Sequence, residues 1–275
     1  METKKLLNID EVHAGTLKIV EKLSSICDML HINYYVAWGS LIGTIRHKGF
    51  IPWDDDFDVI MLRPDYDKFI NYCRENEKEL YPFKILNREV CKDYPYTISR
   101  FEDMRYKAIY DNIVEYDSGM FIDIYPFDGA GTDENAARKK LEKKRNLLAK
   151  CVGWAIRDKY TRPKDQSIAV AFLKYIGFKI AHLFGKDFFL DQYEKLKNTY
   201  LYEESTLVGC LCWDGGLYVF DRALFEKSLT VPFENITVKI PVGYDEILKK
   251  TYGNYMELPP EKDRVATHEY TLYKR

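Results

Sequence analysis

The chain has 275 residues, 46% hydrophobic and 31% charged, a composition that fits a folded globular protein and excludes general disorder. Lys and Arg total 41 against 43 Asp and Glu, a net charge of -2 that argues against nucleic-acid binding through excess positive charge. The length allows one large domain or two small ones. Twenty-two tyrosines are present, so large flat side chains are expected to line something besides a core.

In chain order, residues 10–31 place Val12, Thr16, Ile19, Leu23, Ile26 and Leu30 at three- to four-residue steps, which predicts an amphipathic helix. A short strand follows at 34–37 and ends at Trp38-Gly39-Ser40, before a second short helix over 41–47. Residues 57–62 read as a strand, and Pro64 sits where the first turn of a third helix tolerates it. Strands are predicted at 96–101, 106–110 and 120–125. Residues 133–200 carry helical patterns throughout, and the charged run from Arg138 to Arg145 is expected to be a solvated helix face. Short strands at 217–220 and 237–240 and a helix over 244–251 complete the chain.

These elements predict an α+β fold: a mixed β-sheet core with helices over 1–132, a helical insert over 133–204, and a C-terminal α/β segment over 205–275 that packs back on the core. The six cysteines contain no C-x-x-C pair, and the Cys210 to Cys212 spacing does not suit zinc, so buried reduced thiols are expected. Residues 1–10 lack the apolar run of a signal peptide, and a cytoplasmic location is the expectation. Residues 168–184 are apolar but interrupted by Lys174 and Lys179, and fall short of the ~20 residues of a bilayer span. A buried helix is the first reading of this stretch. The second is peripheral contact with a membrane, Lys174 and Lys179 facing anionic headgroups.

The chemistry is concentrated between Trp38 and Asp58. Strand residues two apart share a face, so Asp56 and Asp58 can converge on one hard cation. Asp54 shares their parity at the strand entrance, and Asp55 points the other way, toward solvent. Like charges this close need a divalent metal or a protonated partner between them. A third acid, Asp123, sits mid-strand among apolar neighbours, where β propensity disfavours it unless something binds it. Together these acids predict a Mg²⁺ site, with Mn²⁺ as a substitute. Gly39 and Ser40 precede a short helix whose amides can receive a phosphate. Arg46, His47 and Lys48 lie just beyond; Arg46 and Lys48 are read either as phosphate ligands or as a solvated helix end.

At these residues the sequence resembles the LicD family, which includes the fukutin-related phosphotransferases. The first matching block runs from Gly39-Ser40-Leu41-Ile42-Gly43 through Arg46-His47-Lys48-Gly49-Phe50-Ile51-Pro52-Trp53 to Asp54-Asp55-Asp56-Phe57-Asp58; the second is Phe121-Ile122-Asp123-Ile124-Tyr125-Pro126-Phe127-Asp128-Gly129. A third block spans residues 248–268 and places Tyr252 and Arg264 with the substrate. The resemblance implies a nucleotidyltransferase-like fold, with Asp56 and Asp58 as metal ligands and Asp123 as third ligand or base. His268 is a further candidate base. Asn254 stands where the family often has Asp, which leaves a catalytic role for that position doubtful.

The family's activity implies transfer of a phospho-alcohol from a CDP-alcohol to a sugar hydroxyl. The expected reaction moves phosphocholine from CDP-choline to a lipid-linked glycan precursor (teichoic acid or lipopolysaccharide) and releases CMP. The alternatives are a transferase for CDP-ribitol, CDP-glycerol or CDP-ethanolamine, a true nucleotidyltransferase that releases pyrophosphate, and a non-catalytic glycan-binding module. A choline group needs aromatic faces, and Trp38, Trp53, Tyr125 and Trp213 are the candidates.

Overall fold

The computed structural model describes residues 6–162, 166–211, 213, 216–265 and 270–275. In chain order the elements are α1 (Ile9–Leu30), β1 (Tyr35–Val36), α2 (Trp38–Ile42) continuing into a π turn (Gly43–His47), β2 (Asp58–Leu62), α3 (Arg63–Glu75), α4 (Glu77–Leu80), β3 (Phe83–Leu86), β4 (Ser99–Asp103), β5 (Tyr106–Tyr110) and β6 (Met120–Gly129). Then come α5 (Glu134–Ala155), α6 (Ile168–Phe184), α7 (Lys186–Glu194), β7 (Leu207–Gly209), β8 (Val219–Asp221), β9 (Ser228–Phe233), β10 (Ile236–Pro241), α8 (Tyr244–Tyr252) and β11 (Tyr270–Lys274). The class is α+β.

The main sheet has the order β1-β2-β6-β4-β3, with β7 joined to β6 and β8 to β7. Among the described residues only β2 and β6 pair in parallel, and their register sets Asp58 opposite Asp123 and Ile60 opposite Tyr125. All ten residues of β6 are buried, so side-chain alternation divides them between two cores. Ile122 and Ile124 join the core that receives α1 and α3, while Tyr125 and Phe127 join Ile60, Phe220 and Ile247 on the other face.

Helix α1 forms where the sequence predicts it. Asn8 and Glu11 make a reciprocal capping box at its start, and Val12, Ile19, Leu23 and Ile26 form its buried stripe. The C-terminal part returns to the core twice, through β7 on β6 and through β11 on β5. Cys27 and Cys73 are buried thiols, and burial pushes Cys73 up to about 12.

Three expectations change. The helix expected at 41–47 starts at Trp38, so Gly39 and Ser40 lie in its first turn rather than in a turn before it. The strand expected at 57–62 starts at Asp58, which leaves Asp56 in the preceding loop. The helix over 168–184 forms as predicted, but it buries only Ala171, Phe178 and Ala181, so the buried-helix reading does not hold. No single described helix is long and apolar enough to cross a membrane.

Candidate active site

The acidic loop before β2 has no regular structure of its own, and hydrogen bonds from surrounding elements hold it. His13 Nε2, on α1, donates to Asp54 O at 2.7 Å while its ring stacks on Phe50 at 4.0 Å. The Tyr270 hydroxyl on β11 donates to Asp55 O at 3.2 Å. Asp123 N donates to Phe57 O at 3.0 Å. Asp58 N donates to Ser40 Oγ at 3.0 Å, and Asp58 O accepts from Ala37 N at 2.9 Å. Ser40 thus fixes the backbone of the D-x-D strand, a role its expected phosphate contact did not include.

This loop delivers Asp56 and Asp58 to one cavity of about 400 Å³. Trp38, Tyr125, Trp213, Tyr218 and Tyr252 supply its aromatic lining. Tyr125 meets Trp38 edge-on at 6.0 Å and Trp213 at 5.7 Å, and Tyr218 lies 6.0 Å from Trp38. Trp38 adopts a φ of 47°, a left-handed conformation that costs a bulky residue about 1–2 kcal/mol and turns the chain from β1 into α2. Burial first, and then the nearby Asp58, push the phenols of Tyr125 and Tyr252 above their ordinary range. Both phenols stay neutral at working pH, and the field acting on them marks the cavity as acid-rich.

Asp123 stands beside Asp58 in register, and Arg100 Nε donates to its Oδ1 at 2.7 Å. Arg100 is itself buried and also donates to the hydroxyls of Tyr110 and Tyr116 at 2.6 and 2.8 Å. Burial works against its charge, but Asp123 and these phenols outweigh that cost and raise its pKa further. The ion pair relieves the repulsion between two adjacent carboxylates and fixes the Asp123 rotamer.

Arg145 was missed from sequence, where it reads as part of a charged run. It is 1% exposed and lines the cavity from α5, donating from Nη2 to Trp213 O at 2.5 Å and to Gly216 O at 3.3 Å. Tyr218 and His13 were also missed. No local motif marks them, because the fold alone brings them to the acidic loop and cavity.

Other predicted residues have different partners. Gly39 leaves room for Asp54, whose Oδ2 would lie 3.0 Å from a Cβ there, and Asp54 does not line the cavity. Asp55 is half-buried rather than solvated. Arg46 Nη1 donates to the carbonyls of Tyr255 and Glu257 at 2.8 and 3.0 Å, so it anchors the C-terminal block instead of reaching the cavity. Trp53 packs edge-on against His47 and lies 5.7 Å beneath the Arg264 guanidinium, away from the other three candidate aromatics. Arg264 Nε donates to Pro259 O. Burial and then Arg46 lower the pKa of His47. Lys48 is exposed, with its carbonyl bound to Glu234 N. Asn254 is exposed and bonds Glu257. His268 lies outside the described residues.

Among the described residues no three His, Cys, Asp or Glu side chains form a metal cage. The residues do fit Mg²⁺ bound in another way: Asp56 and Asp58 are hard oxygen donors on one open cavity, and Mg²⁺ commonly uses one or two carboxylates with substrate phosphates and water. Asp123 stands next to them, held by Arg100. A second, larger cavity of about 520 Å³ contains none of the acids of the motif; its Arg63 pairs with Asp128 and its Arg88 with Asp191 and Glu194.

The mixed sheet thus carries Asp58 and Asp123 on adjacent parallel strands beside the helix start at Gly39 and Ser40. Residues 31–163 match the family model described as LicD/FKTN/FKRP, nucleotidyltransferase domain. It is 28% identical over 273 residues to the lipopolysaccharide cholinephosphotransferase LicD of Haemophilus influenzae, covering 98% of this chain and 99% of that protein. A shorter match, 27% identical over 129 residues, links 45% of the chain to 46% of the uncharacterized protein RP689 of Rickettsia prowazekii.

Proposed function

We propose that this chain is a Mg²⁺-dependent phosphotransferase that moves phosphocholine from CDP-choline to a sugar hydroxyl of a lipid-linked cell-surface glycan precursor, teichoic acid or lipopolysaccharide, releasing CMP. The observation that carries this reading is the meeting of two carboxylates and an aromatic wall in one cavity. A pyrophosphate needs the first and a quaternary ammonium needs the second. The full-length likeness to a lipopolysaccharide cholinephosphotransferase supports it. The place of reaction in this reading is the inner face of the cell membrane, where a cytosolic nucleotide donor meets a lipid-linked acceptor.

The trimethylammonium group packs against Trp38, Tyr125 and Trp213, each face contributing about 0.5–2 kcal/mol. Asp56 and Asp58 are the residues that would hold Mg²⁺, which neutralises pyrophosphate charge when bound. Arg145 adds a fixed positive charge and holds Trp213 in place through its carbonyl. The acceptor oxygen attacks the phosphorus bearing choline, the bond from that phosphorus to the bridging oxygen breaks, and CMP leaves with the electron pair. Asp123 takes the proton of the attacking hydroxyl, its orientation set by Arg100.

Incubation with CDP-choline, CDP-ethanolamine, CDP-ribitol or CDP-glycerol and a glycan acceptor, followed by chromatography of the nucleotide products, tests the proposal. CMP from CDP-choline is the expected outcome. Pyrophosphate release would instead identify a true nucleotidyltransferase, and acceptor binding without turnover would identify a glycan-binding module.

A further inference from the structure

Helix α6 packs on the protein through a narrow stripe. Ala171, Phe178 and Ala181 are buried, and Gly177 lets the Trp154 ring come so close that a Cβ there would collide with it at 2.4 Å. The opposite side exposes Ile168, Phe172, Leu173, Ile180, Leu183 and Phe184, with Leu183 83% exposed. At ~100° per residue these six fall within an arc of about 160°. At Gly185 the chain bends by 86° into the following helix, which buries Phe189, Leu190 and Tyr193, so α6 ends at the surface and does not continue as a span. A face this apolar needs a partner.

Charge identifies that partner. Helix α6 has no Asp or Glu over its 17 residues, although the chain as a whole has 43. Its charged residues are Lys174 and Lys179, and Lys179 is exposed at one edge of the apolar arc. On the packed side of the helix, where Lys174 falls between Ala181 and Phe178, a small cavity of about 120 Å³ is lined by Arg157, Lys159 and Lys174 with the Tyr160 ring and, among the described residues, no carboxylate. His182 Nε2 donates to Arg157 O at 3.0 Å, which ties this basic loop to the edge of α6.

We infer that α6 and the basic loop form a docking surface for an anionic phospholipid bilayer: the apolar arc lies in the acyl boundary, and Lys179 at its edge, with Arg157 and Lys159 of the adjoining loop, receives headgroup phosphates. A second copy of the chain would have to match the basic edge with acids, which α6 lacks, whereas an anionic leaflet satisfies both features. Docking would hold the chain on the surface where a lipid-linked acceptor resides. The inference is independent of the transferase reading.

Co-sedimentation of the full chain with phosphatidylcholine vesicles, and with vesicles that also contain phosphatidylglycerol, tests it. The wild type should bind the anionic vesicles more tightly by at least about tenfold, and less so as salt rises. Phe172→Ser plus Leu183→Ser should lose binding to both vesicle types while keeping its circular dichroism spectrum, since both side chains are solvent-exposed. Arg157→Gln plus Lys159→Gln should lose only the anionic preference. Wild-type protein that stays in the supernatant, or variants that bind like wild type, would overturn the inference. So would a dimer in sedimentation equilibrium that the Phe172 and Leu183 changes dissociate in the absence of lipid. CMP release with a soluble acceptor by a chain that ignores vesicles would overturn docking and leave the transferase reading standing.

Discussion

Asp58 is fixed on both sides of its backbone, by Ser40 Oγ at its amide and by Ala37 N at its carbonyl, so a change at its carboxylate leaves the strand in place. Asp58→Asn, and likewise Asp56→Asn, should lower turnover by about 10²-fold or more while the melting temperature holds. Turnover and melting measured on the same preparation check this, and wild-type turnover at limiting Mg²⁺ would remove the metal assignment. Asp123→Asn should lower kcat by about 10²–10⁴-fold with donor KM little changed if Asp123 takes the proton. A change confined to the apparent Mg²⁺ affinity would make it a ligand only. Glu102, two residues from Arg100 on β4, yields a pH prediction. Burial pushes its carboxyl up to about 7, against the Ser118 hydroxyl and the Gly119 N–H that favour its anion. The folded chain therefore keeps a proton that the unfolded chain releases near 4.5, and stability falls as pH rises from there through about 7. Glu102→Gln should flatten this decline, as melting curves from about pH 5 to about pH 8 would reveal. A variant with the wild-type slope would contradict the assignment.

At the scale of elements, the parts of the site differ in how visible they are in the sequence. Helix α1 and strand β6 are legible because a capping box and a three- to four-residue stripe mark the first and an apolar run broken by Asp123 marks the second. Asp56 and Asp58 are legible as a pair, but their convergence comes from a loop clamped by α1, α2, β6 and β11, not from a shared strand face. Arg46 and Trp53 share the motif with Asp58 yet point into the C-terminal block, because adjacency in sequence does not fix the direction of a side chain after a π turn and a loop. Arg145 has the opposite history: a long cationic side chain on a charged helix is ordinarily solvated, whereas here it is buried and donates to the carbonyls of Trp213 and Gly216, a contact no local pattern announces. Arg145→Met should raise the donor KM more than it lowers kcat and cost roughly 2–3 kcal/mol in urea unfolding, since buried carbonyls lose their donor. Unchanged KM and unchanged stability would make the contact incidental.

Across the whole molecule, the site is assembled from distant parts of one chain. The first half supplies Asp56 from the loop before β2, Asp58 at the start of β2, Tyr125 on β6 and the Trp38 ring, α5 supplies Arg145, the segment after β7 supplies Trp213 and Tyr218, and α8 supplies Tyr252. The sheet joins these parts, since β6 pairs with β2 on one side and with β7 near its end. A length of 275 residues and a set of motifs predicted the α+β class, but the third wall of the cavity depended on the return of the chain after α7. The central claim is that one cavity binds both the pyrophosphate and the choline of the donor. It is tested most directly by the ratio of kcat/KM for CDP-choline to that for CDP-ethanolamine, followed as CMP release, in the wild type and in Tyr125→Leu and Trp213→Leu. The account predicts a wild-type preference for choline that falls by about two- to thirtyfold in at least one variant while CDP-ethanolamine turnover persists. Equal losses with both donors, or no loss with either, would contradict it.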